Sequence, residues 1–234
     1  MKQLEKSLKK HADEKQAEVL QRFFKTGPGQ YGEGDVFLGI KVPKQREIAR
    51  DASKRLSLVD AEKLLDSEIH EKRMTALLVL IEKYKIGDEK VKKEIYDFYL
   101  SHTEKINNWD LVDLSSHKII GDFLVDKDRS VLYNLAKSDN LWERRISIIS
   151  CFAFIRRGDF KDALEISKIL MNDSHDLIHK AVGWMLREIG KRDKEAEERF
   201  LKEHYKQMPR TMLRYAIEKF EEEKRKMYLL GEVE

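Results

Sequence analysis

Asp110 and Asp113 lie three residues apart in NNWDLVDLS, one turn of a helix if the segment is helical. Trp109 directly precedes this pair. A carboxylate held among aromatic rings suits the stabilisation of a developing positive charge. A purely structural acid would pair with a nearby arginine instead, and Arg144 or Arg145 could serve. Trp184 follows Lys180 by four residues, so a helix puts the two on one face. Aromatic faces beside cations suit base stacking or recognition of a cationic base; burial in a core is the ordinary alternative.

Other spacings are weaker. GPGQYG, from Gly27 to Gly32, has the literal form G-x-G-x-x-G. That fingerprint needs a strand before it and a helix start after it. Here a charged helical segment precedes it, and Pro43 opens the next helix. Residues 26–36 are therefore read as a flexible glycine-rich loop or a short hairpin, not a nucleotide site. His175 and His179 stand four apart without the acidic residue of a zinc-protease helix, so no metal site is expected. The single cysteine, Cys151, sits in an apolar run and reads as a core residue.

Helical periodicity dominates the elements that must carry these residues. From Met74 to Tyr84 the apolar positions form a wide buried face, and similar segments run over 142–156, 176–189 and 210–220. Pro43 suits a first helical turn, and Ser57 with Asp60 forms a capping-box pattern. Self-comparison aligns Met74, Asp110, Arg145, Lys180 and Tyr215, at intervals of 36, 35, 35 and 35. One position further on, Thr75, Leu111, Ile146, Ala181 and Ala216 are all small or apolar. A period near 35 with two helices per unit predicts an all-α fold, an α-α superhelix whose neighbours stack to bury their faces. The alternative is an amphipathic bundle without a repeat. The whole chain, 1–234, is expected to form this single domain.

The repeat also lines up polar residues. The position before the anchor holds Arg73, Trp109, Arg144, His179 and Arg214. This column is expected to be exposed. With Arg145, Lys180 and Arg187 it would form a row of cations suited to a phosphate backbone. Ordinary solvated helix charge is the bland reading. Trp142 falls at a column that is apolar in later repeats and is expected to be core. Asp113 aligns with Leu77, Ile148 and Gly183 in the three best-aligned units, so a carboxylate there is out of pattern with them.

Composition bounds the function class. Charged residues make up 38% and hydrophobic residues 41%, enough for a core under solvated helices. Three prolines and 11 glycines are too few punctuators for an all-β fold. With 46 basic and 43 acidic residues, the net charge of +3 does not by itself name a partner. No apolar run is long enough for a transmembrane helix, and the first residues lack a signal-peptide core. A cytoplasmic protein, without a membrane partner, is expected.

NWDLVDLSS, SDNLWERRISI, IHKAVGWMLREIGK and GQYGEGDVFLGIKVP together resemble the bacterial AlkD-like DNA alkylation repair family of HEAT-like-repeat DNA glycosylases. The resemblance spans essentially the whole chain. It implies HEAT-like repeats with a basic concave groove for double-stranded DNA and no cofactor; a monomer fits a groove that must admit a duplex. It also implies monofunctional hydrolysis of the N-glycosidic bond of cationic N3- or N7-alkylated purines, without deep base flipping. By resemblance Asp113 stabilises the sugar oxocarbenium and orients water, while Trp109 and Trp184 pack against sugar and backbone. Arg145 and Arg187 match phosphate-binding arginines, and Arg144, Lys180, Arg214, Arg73 and Phe23 are the further expected DNA contacts. Phe23 stands where the family's prototype has a tyrosine. Relatives of the same fold bind branched or damaged DNA without excising a base, which is the alternative function.

Overall fold

The computed structural model describes residues 1–233. Contacts divide the chain into two compact units, Met1–Ser115 and a second that begins at Ser116.

In the first unit α1 (Lys2–Lys10) packs on α3 (Val42–Ser53), with α2 (Glu14–Phe23) between them in sequence. Pro43 lies in the first turn of α3, as its missing N–H allows. α4 (Leu58–Leu65) opens with a complete capping box: Asp60 N–H donates to Ser57 Oγ at 3.2 Å, and Ser57 N–H to Asp60 Oδ2 at 3.0 Å. Both α3 and α4 pack on α5 (His70–Ile86), which is buried around most of its circumference. α6 (Glu89–Ser101) follows, capped by Asp88, whose Oδ1 accepts from Val91 N–H at 2.9 Å. α7 (Trp109–Ser116) ends this series.

The second unit continues the alternation. Its helices are α8 (Ser130–Leu135), α9 (Leu141–Ser150), the short α10 (Phe152–Ile155), α11 (Lys161–Ile169), α12 (Asp176–Gly190), α13 (Lys194–His204), α14 (Arg210–Ala216) and α15 (Glu222–Leu230). α12 packs on α9, α11, α13 and α14. The approach to α14 is close at Gly183: a Cβ there would lie 2.4 Å from the Met212 carbonyl oxygen. Cys151 is buried at the break between α9 and α10, its thiol on the Ser147 carbonyl at 3.4 Å. Trp142 is core, as its column predicts.

The chain is all-helical. Among the described residues no strand ladder forms, only one isolated parallel bridge between Val36 and Ile69. The repeat positions fall on α5, α7, α9, α12 and α14, each preceded by its own outer helix (α4, α6, α8, α11 and α13). The small or apolar column, Thr75, Leu111, Ile146, Ala181 and Ala216, is fully buried in every repeat. Such burial in register is what stacked helical repeats require.

Candidate nucleic-acid interface

In the first unit the site is built around the N-terminus of α7. The Trp109 indole is half-buried and stacks on Phe24, with ring centroids 5.2 Å apart and planes 18° from parallel. Phe23, the last residue of α2, meets it edge-on at 6.0 Å and is itself 61% exposed. Nε1 of Trp109 donates to the Tyr31 hydroxyl at 3.3 Å. Asp113 is half-buried one turn along α7, on the face of Trp109 by its four-residue spacing. Burial pushes the Tyr99 hydroxyl up, and the Asp113 carboxylate nearby pushes in the same direction. The column of Asp113 is buried at Leu77, Ile148 and Gly183, while the terminal repeat places the exposed Glu218 there. A half-buried carboxylate at Asp113 departs from the packing of those three repeats.

The second feature is a buried polar network that no spacing announced. His70, at the start of α5, points Nδ1 at Asp35 Oδ2 (3.1 Å) and Nε2 at Asp110 Oδ2 (2.9 Å). Asp35 also accepts from Asn108 Nδ2 at 3.0 Å and from Arg73. Burial alone would lower the His70 pKa, but Asp110 and Asp35 reverse that and raise it to about 9. Burial pushes Asp35 up, and His70, Arg73 and Asn108 outweigh it, holding the carboxyl below its usual range. Glu71 is buried beside them and accepts the backbone N–H groups of Leu38, Gly39 and Ile40 at 2.9, 2.8 and 3.2 Å.

The glycine-rich segment is therefore neither a hairpin nor a loose loop but a chain of turns fastened at both ends. Gly29 N–H donates to Glu33 Oε2 (2.7 Å) and Gln21 Nε2 to the Asp35 carbonyl (2.6 Å), before Asp35 enters the network. Sequence offered one clue, an acid closing the run GEGD, but nothing tied it to His70.

The basic column has a different meaning from the one its recurrence suggests. Arg73 donates to the Ser67 carbonyl at 2.7 Å and Arg144 to the Ser138 carbonyl at 3.0 Å, while His179 Nε2 donates to the Asp173 carbonyl. Each side chain reaches back six residues and closes the turn leading into its own helix. Arg73 is buried, and Arg144 is also paired with Asp173 at 2.6 Å. The expectation of an exposed cationic column is thus corrected at Arg73, Arg144 and His179, while Arg214 is exposed as expected: loop carbonyls without helical partners need donors, and this register supplies them. Trp109 is the exception, an indole where the neighbouring repeats keep a loop-closing cation.

The remaining cations of the second unit differ in availability. Arg145 is buried and donates to the Leu177 carbonyl. Arg187 is paired with Glu218, and Lys180 with Asp176 at 2.6 Å. Arg214 is exposed, with no ion pair among the described residues. Trp184 is half-buried, 6.1 Å from the Phe152 ring, and its Nε1 donates to Glu188 Oε1 at 3.2 Å. His175 caps α12, accepting from Leu177 N–H at 3.1 Å. Among the described residues no cluster of His, Cys, Asp and Glu could hold a metal ion, and no helix is long and apolar enough to cross a membrane.

Fold and site together define a helical-repeat protein that breaks its own packing rule at Trp109 and Asp113. The sequence model of the DNA alkylation repair enzyme family matches residues 4–220, and the chain belongs to that family. A solved structure described as a predicted DNA alkylation repair enzyme from Enterococcus faecalis has the same fold, with a TM-score of 0.70 at 15% identity. That match covers 91% of this chain and 98% of the other. A comparison with curated proteins found no match.

Proposed function

We propose that this protein is a monofunctional DNA glycosylase that binds double-stranded DNA and releases cationic N3- or N7-alkylated purines. The observation that carries the reading is Asp113: a half-buried carboxylate one turn from a half-buried indole, at a column that three of the other repeats bury as Leu77, Ile148 and Gly183. Family membership supplies the context of alkylation repair.

The chemistry asks little of the protein beyond electrostatics. An alkylated purine that is already cationic leaves readily. Its N-glycosidic bond breaks, the electron pair departs with the base and neutralises it, and the positive charge passes to the sugar. Asp113 stabilises that charge, and water adds at C1′ with its proton passing to the carboxylate or solvent. Trp109 and Trp184 provide flat apolar surface for sugar and backbone, and Phe23 extends that surface beside Trp109. The reading invokes no lysine nucleophile and no Schiff base, so the strand stays intact. Arg214 supplies a phosphate contact, whereas Lys180, Arg144 and Arg187 take part only by giving up Asp176, Asp173 and Glu218. Arg73 and Arg145 serve the helices.

The test is release of free base from a duplex carrying N7-methylguanine. Wild type releases base, and Asp113→Asn loses release by about 100-fold or more while retaining DNA affinity. Equal release by both proteins removes Asp113 from the mechanism. A second reading, a non-hydrolysing binder of branched or damaged DNA, draws on the exposed apolar Phe23 and on cations taken up by internal ion pairs. It predicts no release by wild type, with salt-sensitive binding to forks.

A further inference from the structure

The Asp35–His70–Asp110 network joins three parts of the first unit. Asp35 closes the 26–36 segment that carries Tyr31, His70 opens α5, and Asp110 lies in the first turn of α7 between Trp109 and Asp113. Both ring nitrogens of His70 face carboxylate oxygens. A neutral imidazole would turn a lone pair toward one of them, so the geometry calls for both nitrogens protonated. Phe24 and Phe37 flank the ring, with centroids 5.1 and 4.7 Å away. The same Phe24 stacks on Trp109.

We propose that His70 is a positioning residue for this site: its imidazolium ties the 26–36 segment to the first turn of α7, and so fixes the Trp109 indole between Phe24 and Tyr31. The ionisable groups facing His70 are Asp35 from that segment and Asp110 from α7. Arg73, on α5 itself, shares Asp35, so two cations stand against two carboxylates and the buried cluster is neutral overall. Glu71, also on α5, is occupied by backbone N–H groups. Loss of the His70 proton would leave Asp35 or Asp110 facing a lone pair, loosening Tyr31 and the start of α7 together. The consequence for base release rests on the proposed function; the consequence for Trp109 does not.

The experiment follows the ¹H–¹⁵N indole resonance of Trp109, assigned by its loss in Trp109→Phe, from pH 6 to pH 10. In wild type it moves in one step with a midpoint near 9, the value at which His70 deprotonates. The step vanishes in His70→Gln. Should that variant fail to fold, Asp110→Asn keeps a polar side chain at the partly exposed end of the network and moves the step down by about one pH unit or more. A wild-type resonance that does not move, a step that survives in His70→Gln, or a step unmoved in Asp110→Asn overturns the proposal. In the base-release assay His70→Gln lowers kcat about 100-fold with KM little changed, as misplacement of a reacting geometry does. If wild type releases no base, the function fails and the indole titration still decides the role of His70.

Discussion

Asp35 shows how much one buried carboxylate can organise. It receives donors from His70 and Arg73 in the first turn of α5 and from Asn108 just before α7. Asp35→Ala leaves Arg73 buried without its counter-charge and His70 with Asp110 alone. The expected cost is about 3–5 kcal/mol, read as a lower urea midpoint, because removing one partner of a buried ion pair strands the other. A change below about 1 kcal/mol would mean that water replaces the carboxylate. Trp109 teaches the complementary lesson. A tryptophan in a repeat invites assignment to the core, and Trp142 obeys. Trp109 does not, because its position is the loop-closing column and an indole has only one N–H to offer, which goes to Tyr31.

At the scale of elements, the contact between α12 and α14 depends on the absence of a side chain at Gly183. A Cβ would meet the Met212 carbonyl oxygen at 2.4 Å and the Tyr215 Cβ at 2.5 Å, contacts that only a shift of α14 relieves. Gly183→Ala is expected to destabilise the protein by about 1–3 kcal/mol despite the better helix propensity of alanine. Thermal unfolding checks this, and an unchanged or raised Tm would show that α14 yields freely. The Asp88 cap of α6 is a smaller matter. Asp88→Ala should cost about 1 kcal/mol, since one N–H of the first turn loses its acceptor.

For the molecule as a whole, two buried groups make stability fall as pH rises. The His70 pKa is raised from 6.5 to about 9, so its contribution is full below pH 6.5 and is lost as pH rises through 9. Glu197 is buried, with Oε1 unpartnered among the described residues; burial first, then the neighbouring Glu198, raise it from 4.5 to about 8. The folded state therefore binds this proton more tightly than the unfolded chain does, and stability falls as pH climbs from 4.5 to 8. On the acid side Asp35, lowered in the fold, contributes above its unfolded value and is lost as pH falls through its folded value. Glu197→Gln should gain on wild type between pH 5 and pH 9 in urea unfolding. Parallel pH profiles for the two proteins would rule out Glu197 as a source of the alkaline loss.

The helices, their caps and the 35-residue period were legible because they depend on local rules: apolar spacing, Ser57 with Asp60, Pro43 in a first turn. The buried column from Thr75 to Ala216 and the oddity of Asp113 were legible for the same reason, since a repeat supplies its own internal controls. The role of the cationic column was not. Recurrence shows that a residue type is needed at a register, but not whether its partner is a phosphate or a carbonyl six residues back; only the path of the chain through each turn decides that. The His70 network was invisible for a stronger reason. Asp35, His70, Asn108 and Asp110 are up to 75 residues apart in sequence. Their charges balance only where folding removes water from all of them at once, a condition that no local pattern records.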